Sequence, residues 1–226
     1  MSGDENLALG RMAELGLLTA TLNHELRQPL FAVKSLAQIM SARPDAPPEL
    51  AELLQQLTLM EGLVDGVSTY ARHAPQTLAP LDPLAPVEQA VKLLRHRARR
   101  RRVRLETELL GEPPAVRGDP SAVMQALVNL VQNAIDASPA GTAVLVRVSH
   151  GEGLVWLDVL DEGPGIPLAY RERVFEAFYT TKAPGRGTGL GLAIARDLIR
   201  ACDGALLLME ADIGAHMRVA LKPWAS

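Results

Sequence analysis

The chain has 226 residues, enough for one large domain or two small ones. With 48% hydrophobic but only 4% aromatic residues, any core must be built from Leu, Val and Ala, and a net charge of −3 gives no bulk electrostatic case for a nucleic-acid or membrane partner. A single cysteine, Cys202, excludes an internal disulfide and a multi-cysteine metal site, and no apolar run approaches the roughly 20 residues that cross a bilayer. The polar start, Met1 to Asn6, has no signal-peptide core, so the expectation is a soluble cytoplasmic protein, complete or the soluble end of a longer one.

From residue 9 to 40 apolar residues recur at helical spacing. Leu15, Leu18, Leu22, Leu26, Val33, Leu36 and Met40 mark one stripe, interrupted at Pro29. Pro44, Pro47 and Pro48 then stop the helix. A second stripe follows in Leu50, Leu53, Leu57, Met60, Val64, Val67 and Ala71. Two striped helices and a short loop make an antiparallel hairpin, which cannot surround its own apolar face. Two copies are therefore expected to pair as a homodimer through a four-helix bundle.

Residues 73–80 read as a proline-rich linker, dividing a hairpin domain (1–72) from a second domain (81–226). In that second domain, helices are predicted over 87–100, 120–137 and 190–201. Strands are predicted over 103–109, 143–149, 154–160, 205–209 and 217–221, with Gly151-Glu152-Gly153 as a hairpin turn. Helices with antiparallel strands in this order predict an α+β sandwich, one layer of each.

Four blocks carry chemistry. In Asn23-His24-Glu25-Leu26-Arg27-Gln28-Pro29-Leu30, His24 lies off the apolar stripe. Pro29 deprives the Glu25 carbonyl of its helical donor, so a bend is expected beside the histidine. A neutral imidazole is nucleophilic near pH 7 without a strong base. Asn129 and Asn133, four apart, share one face of the 120–137 helix, and amide oxygens suit a hard cation such as Mg²⁺. Asp161, at a strand end before Gly163 and Gly165, can accept the exocyclic amine of adenine. Gly187-Thr188-Gly189-Leu190-Gly191-Leu192 runs into a helix, whose free backbone N–H groups suit phosphate oxygens. It has neither the Gly-Lys-Ser/Thr of a Walker loop nor a surrounding parallel βαβ unit.

Together and in this order the blocks resemble the catalytic core of a two-component sensor histidine kinase, from about Leu9 to the last strand. The resemblance implies a dimerisation and phosphoacceptor hairpin followed by a Bergerat-type ATP domain. It makes His24 the phosphoacceptor, Glu25 its orienting carboxylate, Asn133 the Mg²⁺ ligand, and ATP the phosphoryl donor. Lys182, ahead of Arg186, is the cation for the γ-phosphate, on a lid over 171–186 anchored by Phe175 and Phe178. A response regulator receiver domain is the implied acceptor, and an upstream sensor domain or protein the implied input. Gln28 stands where many bifunctional members carry Thr or Asn, so the resemblance carries kinase activity but not phosphatase activity.

Nucleotide-hydrolysing relatives of the fold carry Glu at the place of Asn129, and an amide cannot activate water. A serine kinase of this fold would lack the histidine hairpin, and a non-catalytic dimerisation and nucleotide-binding module is disfavoured because every block needed for catalysis is present. The basic run Arg95–Arg104 reads as a solvated helix end, with a docking surface for an acidic partner as the lesser alternative. His73, His96, His150 and His216 read as structural or surface residues.

Overall fold

The computed structural model describes residues 26, 28–43, 45–54, 56, 57, 60, 78–182 and 187–224. The chain divides into two compact units, residues 1–75 with 178–190, and residues 76–177 with 191–226.

In the first unit, helix α1 (28–41) and helix α2 (49–54, with Gln56, Leu57 and Met60 also helical) flank the proline loop. Pro47 and Pro48 lend their carbonyls to the N–H groups of Leu50 and Ala51, at 3.1 Å each, so the prolines that end one helix also start the next. The hairpin core is Ala37, Leu50 and Leu57, with Leu30, Ala46 and Leu54 packed against it. This differs from the expected stripe. Its described members on α1, Leu26, Val33, Leu36 and Met40, are all exposed. The contact uses the neighbouring row, Leu30 and Ala37, because the apolar arc is wider than one partner helix covers. Residues 9–25 and 61–71 of the two predicted helices, and the bend expected at Glu25, lie outside the described residues.

The second unit runs β1 (Ala79–Leu81), α3 (Leu84–Arg101), β2 (Arg104–Leu109), β3 (Val116–Gly118), α4 (Pro120–Ala137), β4 (Ala143–Gly151), β5 (Leu154–Asp161), 3₁₀ turns at Leu168–Tyr170 and Arg173–Phe175, α5 (Gly191–Ala201), β6 (Ala205–Met209) and β7 (His216–Leu221). A five-stranded sheet in the order β2-β4-β5-β7-β6 carries three helices on one face. Valines alternate inward along β4 (Val144, Val146, Val148), as do Val155, Leu157 and Val159 on β5 and Met217, Val219 and Leu221 on β7. They meet Leu127, Leu130, Val131 and Ile135 of α4 and Leu198 and Ile199 of α5, all buried.

Local sequence explains the element ends. Asp119 caps α4 by accepting from the N–H groups of Ser121 (2.7 Å) and Ala122 (2.9 Å), with Pro120 in the first turn. Arg102 ends α3 in the left-handed conformation (φ 57°), after three arginines whose charge suits the helix C-terminus. The predicted hairpin turn is present, with positive φ at Glu152 (51°) and Gly153 (75°).

Two sequence expectations are corrected. The sheet is mixed, since β2 pairs in parallel with β4. The chain reaches β4 from β2 through β3 and α4, and such a crossover delivers the strand in parallel. Ala79 and Pro80, read as linker, form a strand with Gly118 and Arg117. Buried Leu81 and Val116 anchor this ribbon, and proline is tolerated in so short a pairing.

The sheet face opposite the helices carries a charged row in register, Glu108, Arg147, Asp158 and Arg218. Asp158 is 0% exposed. It accepts from Arg218 Nε (2.7 Å) and Nη2 (3.0 Å) and pairs with His216 Nε2 at 2.8 Å, while Arg218 stacks 4.8 Å from the Trp156 ring centroid. His216 is thus structural, as read from sequence. Removing one partner leaves a buried charge, whereas replacing both removes the desolvation cost. Arg218→Leu is expected to cost about 3 kcal/mol in urea unfolding, the low end for a broken buried pair because His216 remains. The double variant Asp158→Leu/Arg218→Leu should be less destabilised than Arg218→Leu. Equal or larger loss in the double variant would refute the buried-charge account.

Candidate functional site

Asp161 is the last residue of β5 and sits at 9% exposure. Its Oδ1 accepts the N–H of Gly163 at 2.8 Å and that of Ala215 at 3.1 Å. No group among the described residues bonds Oδ2. Burial lifts this carboxyl above its ordinary value, and the two N–H bonds oppose that without cancelling it. The result is a desolvated acceptor with one oxygen fixed by backbone and the other available.

The surroundings demand glycine. A Cβ on Gly163 would stand 2.8 Å from Asp161 Oδ1 and 3.0 Å from the Ala137 carbonyl at the end of α4. Gly214, with φ +69°, presses against the Asp161 carbonyl so closely that any Cβ would collide with it. Gly214 and Ala215 were missed by the sequence reading. The signal available was a glycine directly before the last strand, ordinary enough to pass as a turn.

One helical turn before Ala137, Asn133 faces α5, and Gly191 lies so near that a Cβ there would sit 3.4 Å from Asn133 Nδ2. Asn129 donates from Nδ2 to the Gly191 carbonyl at 3.2 Å and accepts at Oδ1 from Gln125 Nε2 at 3.3 Å. Asn129 thus ties α4 to the first residue of α5. Gln125, also unnoticed in the sequence, sets the direction of the Asn129 amide. Its place four residues earlier on the same helix face was the readable cue. The structure therefore brings together Asn129, Asn133 and Gly191, and gathers Asp161, Gly163 and Gly165 one turn farther along α4.

Residues 178–190 belong to the other unit and are built locally. The Phe178 N–H donates to the Gly189 carbonyl at 3.0 Å, with Phe178 at φ 67°. Thr180 Oγ1 accepts from the Lys182 N–H at 3.2 Å, and a Cβ on Gly187 would meet Thr180 Oγ1 and Lys182 Cδ at 3.0 and 3.1 Å. Thr188 Oγ1 accepts from the Leu190 N–H at 3.4 Å. Thr180, Lys182 and Gly187 are neighbours, and the glycine box is folded on itself. Arg186, His24 and Glu25 lie outside the described residues.

The two phenylalanines differ. Phe178 is exposed, whereas Phe175 lies under Arg196 of α5, with the guanidinium carbon 5.6 Å from the ring centroid. Arg196 Nε is buried without a hydrogen-bond partner among the described residues. Phe175 is fixed to the helix that follows the glycine box.

A three-helix layer on a mixed sheet, with Asn129 and Asn133 beside Gly191 and Asp161 beside Gly163, defines a fold and site shared with known ATP-binding domains. The family described as histidine kinase-, DNA gyrase B- and HSP90-like ATPase matches residues 118–224. The two-component sensor PprA of Pseudomonas aeruginosa is 34% identical over 96% of this chain. Full-length ShkA in complex with AMPPNP superposes with a TM-score of 0.70 at 29% identity, covering 94% of this chain. The mycobacterial sensor histidine kinase MprB is 31% identical, with a TM-score of 0.58, over 65% of this chain and 99% of that one. The chain belongs to the sensor histidine kinase family. It spans 25% of PprA and 47% of ShkA.

The raised Asp161 carboxyl sets a sign for stability against pH. A folded-state value above the unfolded one contributes stability fully present below the ordinary value of 3.8, and lost as pH rises through the higher folded value. At neutral pH the buried charge therefore costs stability. Asp161→Asn keeps an acceptor for both N–H groups and removes the charge. In urea unfolding the variant should gain on the wild type as pH rises from 4 to 7. A wild type that instead gains on the variant between pH 4 and 7 would contradict this sign.

Proposed function

We propose that this chain is the catalytic core of a protein-histidine kinase that binds ATP at Asp161, phosphorylates His24, and passes the phosphoryl group to an aspartate of a response regulator receiver domain. The observation that carries this reading is the Asp161 carboxylate, with Oδ1 held by two backbone N–H groups and Oδ2 without a partner among the described residues. Such an oxygen suits the exocyclic amine of adenine. Identity to PprA, a two-component sensor, supports the signalling role, and the AMPPNP bound by ShkA supports the nucleotide.

In this reading a ring nitrogen of His24 attacks the γ-phosphorus, the bond to the β–γ bridging oxygen breaks, and ADP leaves. Glu25 holds the opposite ring N–H and steadies the positive imidazole. Lys182 and the backbone N–H groups of Gly187, Thr188, Gly189, Leu190 and Gly191 stabilise charge on the phosphates. Among the described residues no group of three His, Cys, Asp or Glu could hold a metal. By the family resemblance Mg²⁺ would rest on the Asn133 amide oxygen, nucleotide phosphates and water, a ligand set this ion accepts. It would supply neutralisation of phosphate charge.

Asn129 argues against hydrolysis as the main activity. Its amide already donates to Gly191 and accepts from Gln125, and it has no basic group to activate water.

A homodimer completes the reading. Leu26, Val33 and Met40 recur every seven residues on α1, and with Leu36 they form an exposed apolar seam. No helix among the described residues is long and apolar enough to cross a membrane. Input would come from a sensor domain or protein upstream.

Incubation with γ-labelled ATP and Mg²⁺ tests the central claim. Acid-labile, base-stable label is expected on the wild type and none on His24→Ala, which should still bind ATP. Label retained on His24→Ala would remove that residue as acceptor. Asp161→Asn should weaken nucleotide binding by about tenfold to a hundredfold, the loss of a hydrogen bond to a charged acceptor. Sedimentation equilibrium at micromolar concentration should give a dimer for the wild type and a monomer for Leu36→Glu, and a monomeric wild type would end the bundle proposal.

A further inference from the structure

Seven arginines stand between residues 95 and 104, in a chain whose net charge is −3. A helix C-terminus welcomes one or two cations, but like charges three and four residues apart repel. The excess is directed at one place. His96, Arg97, Arg100 and Arg101 line an open groove of about 410 Å³. Arg97 clamps Asp136 of α4 through Nε (3.2 Å to Oδ1) and Nη2 (2.9 Å to Oδ1 and 3.1 Å to Oδ2), and Arg101 Nη2 stands 3.6 Å from Oδ1. Arg100 and His96 have no bonded partner among the described residues.

Three guanidinium groups thus line the groove and a single carboxylate, Asp136, pairs with two of them, a surplus of two positive charges before the imidazole adds a donor. A second carboxylate would cancel only one. A phosphomonoester or free phosphate carries about −1.5 to −2 at pH 7 and offers three acceptor oxygens. Guanidinium forks match those oxygens in geometry as well as charge. The groove's size suits a small compound, falling in the range of small-molecule sites. A nucleic acid would need a longer basic track than one helix end supplies.

We propose that the groove on the last turns of α3, beside the Arg97 and Arg101 contacts to Asp136 of α4, is a binding site for the phosphate dianion of a small phosphorylated compound, distinct from the proposed nucleotide site. Two sources share this chemistry: a free phosphate compound, and the phosphates of a nucleotide held nearby. The second must be separated by experiment, because Asp136 lies only three residues beyond Asn133 on α4.

The test uses the full chain and inorganic phosphate as probe. Phosphate is titrated at constant ionic strength while arginine Nε–H resonances are followed by NMR. Saturable shifts of a few arginine signals are expected, unchanged by saturating AMPPNP. Arg100→Glu should weaken phosphate binding by about tenfold or more, as loss of charge-assisted bonds implies, with AMPPNP affinity unchanged. Arg100→Gln should weaken it less, and serves if the charge reversal disturbs folding. Shifts that never saturate, or that chloride reproduces, would mean an adventitious ion only and overturn the proposal. Displacement of phosphate by AMPPNP would assign the groove to the nucleotide's own phosphates, and saturable binding indifferent to both Arg100 variants would place the anion elsewhere. Either result overturns the proposal.

Discussion

Helix α4 is the constraint from which the second unit follows. One face, through Val123, Leu127, Leu130, Val131, Ala134 and Ile135, is buried and fills the space above β4 and β5. Gln125, Asn129, Asn133 and Asp136 repeat at spacings of four, four and three along the same cylinder, so the polar chemistry is delivered in a row. Because the core fixes the rotation of the helix, the positions of both asparagines are fixed with it. A change of register in α4 would bury amides and expose leucines together, which makes the site as cooperative as the fold.

The Asp161 corner shows how such a site is held against its own cost. A carboxylate at a strand end, shielded from water, favours the neutral form. Two backbone N–H groups, from Gly163 and Ala215, keep its geometry without neutralising it. A lysine partner would stabilise the charge more but would also occupy the acceptor. Glycine at 163 and 214 follows from the same arrangement, since the backbone must pass within contact distance of the carboxylate and of its own carbonyl. Local stability is given up to keep one oxygen available.

Much of this was legible in sequence because it rests on periodicity and local chemistry. The span of α4 coincides with the predicted one, its cap Asp119-Pro120 being written in adjacent residues. The β4–β5 hairpin is set by its Glu-Gly turn. What escaped depends on contacts distant in sequence. The parallel pairing of β2 with β4 is decided by where the crossover helix packs, which no window of residues contains. Ribbon β1–β3 is three residues per strand, too short for a period to register. Ala215 reaches Asp161 across 54 residues, and Arg196 meets Phe175 from the helix beyond the glycine box. The glycine boxes themselves were readable, but which glycines crowd which atoms was not.

The hairpin teaches the opposite lesson about the same kind of signal. Helical spacing marked Leu26, Val33, Leu36 and Met40 as one apolar stripe, yet the intrachain contact is made by Leu30 and Ala37. Periodicity reports that a face is apolar, without reporting what covers it. A helix in a four-helix bundle has two neighbours, and needs an arc wide enough for both. Ala37, small and buried, lets α1 and α2 approach closely, while the larger Leu36 and Met40 remain on the outside. In the proposed homodimer the two kinds of residue would divide the work, small Ala37 serving the intrachain contact and the larger exposed Leu36 and Met40 serving the seam between copies.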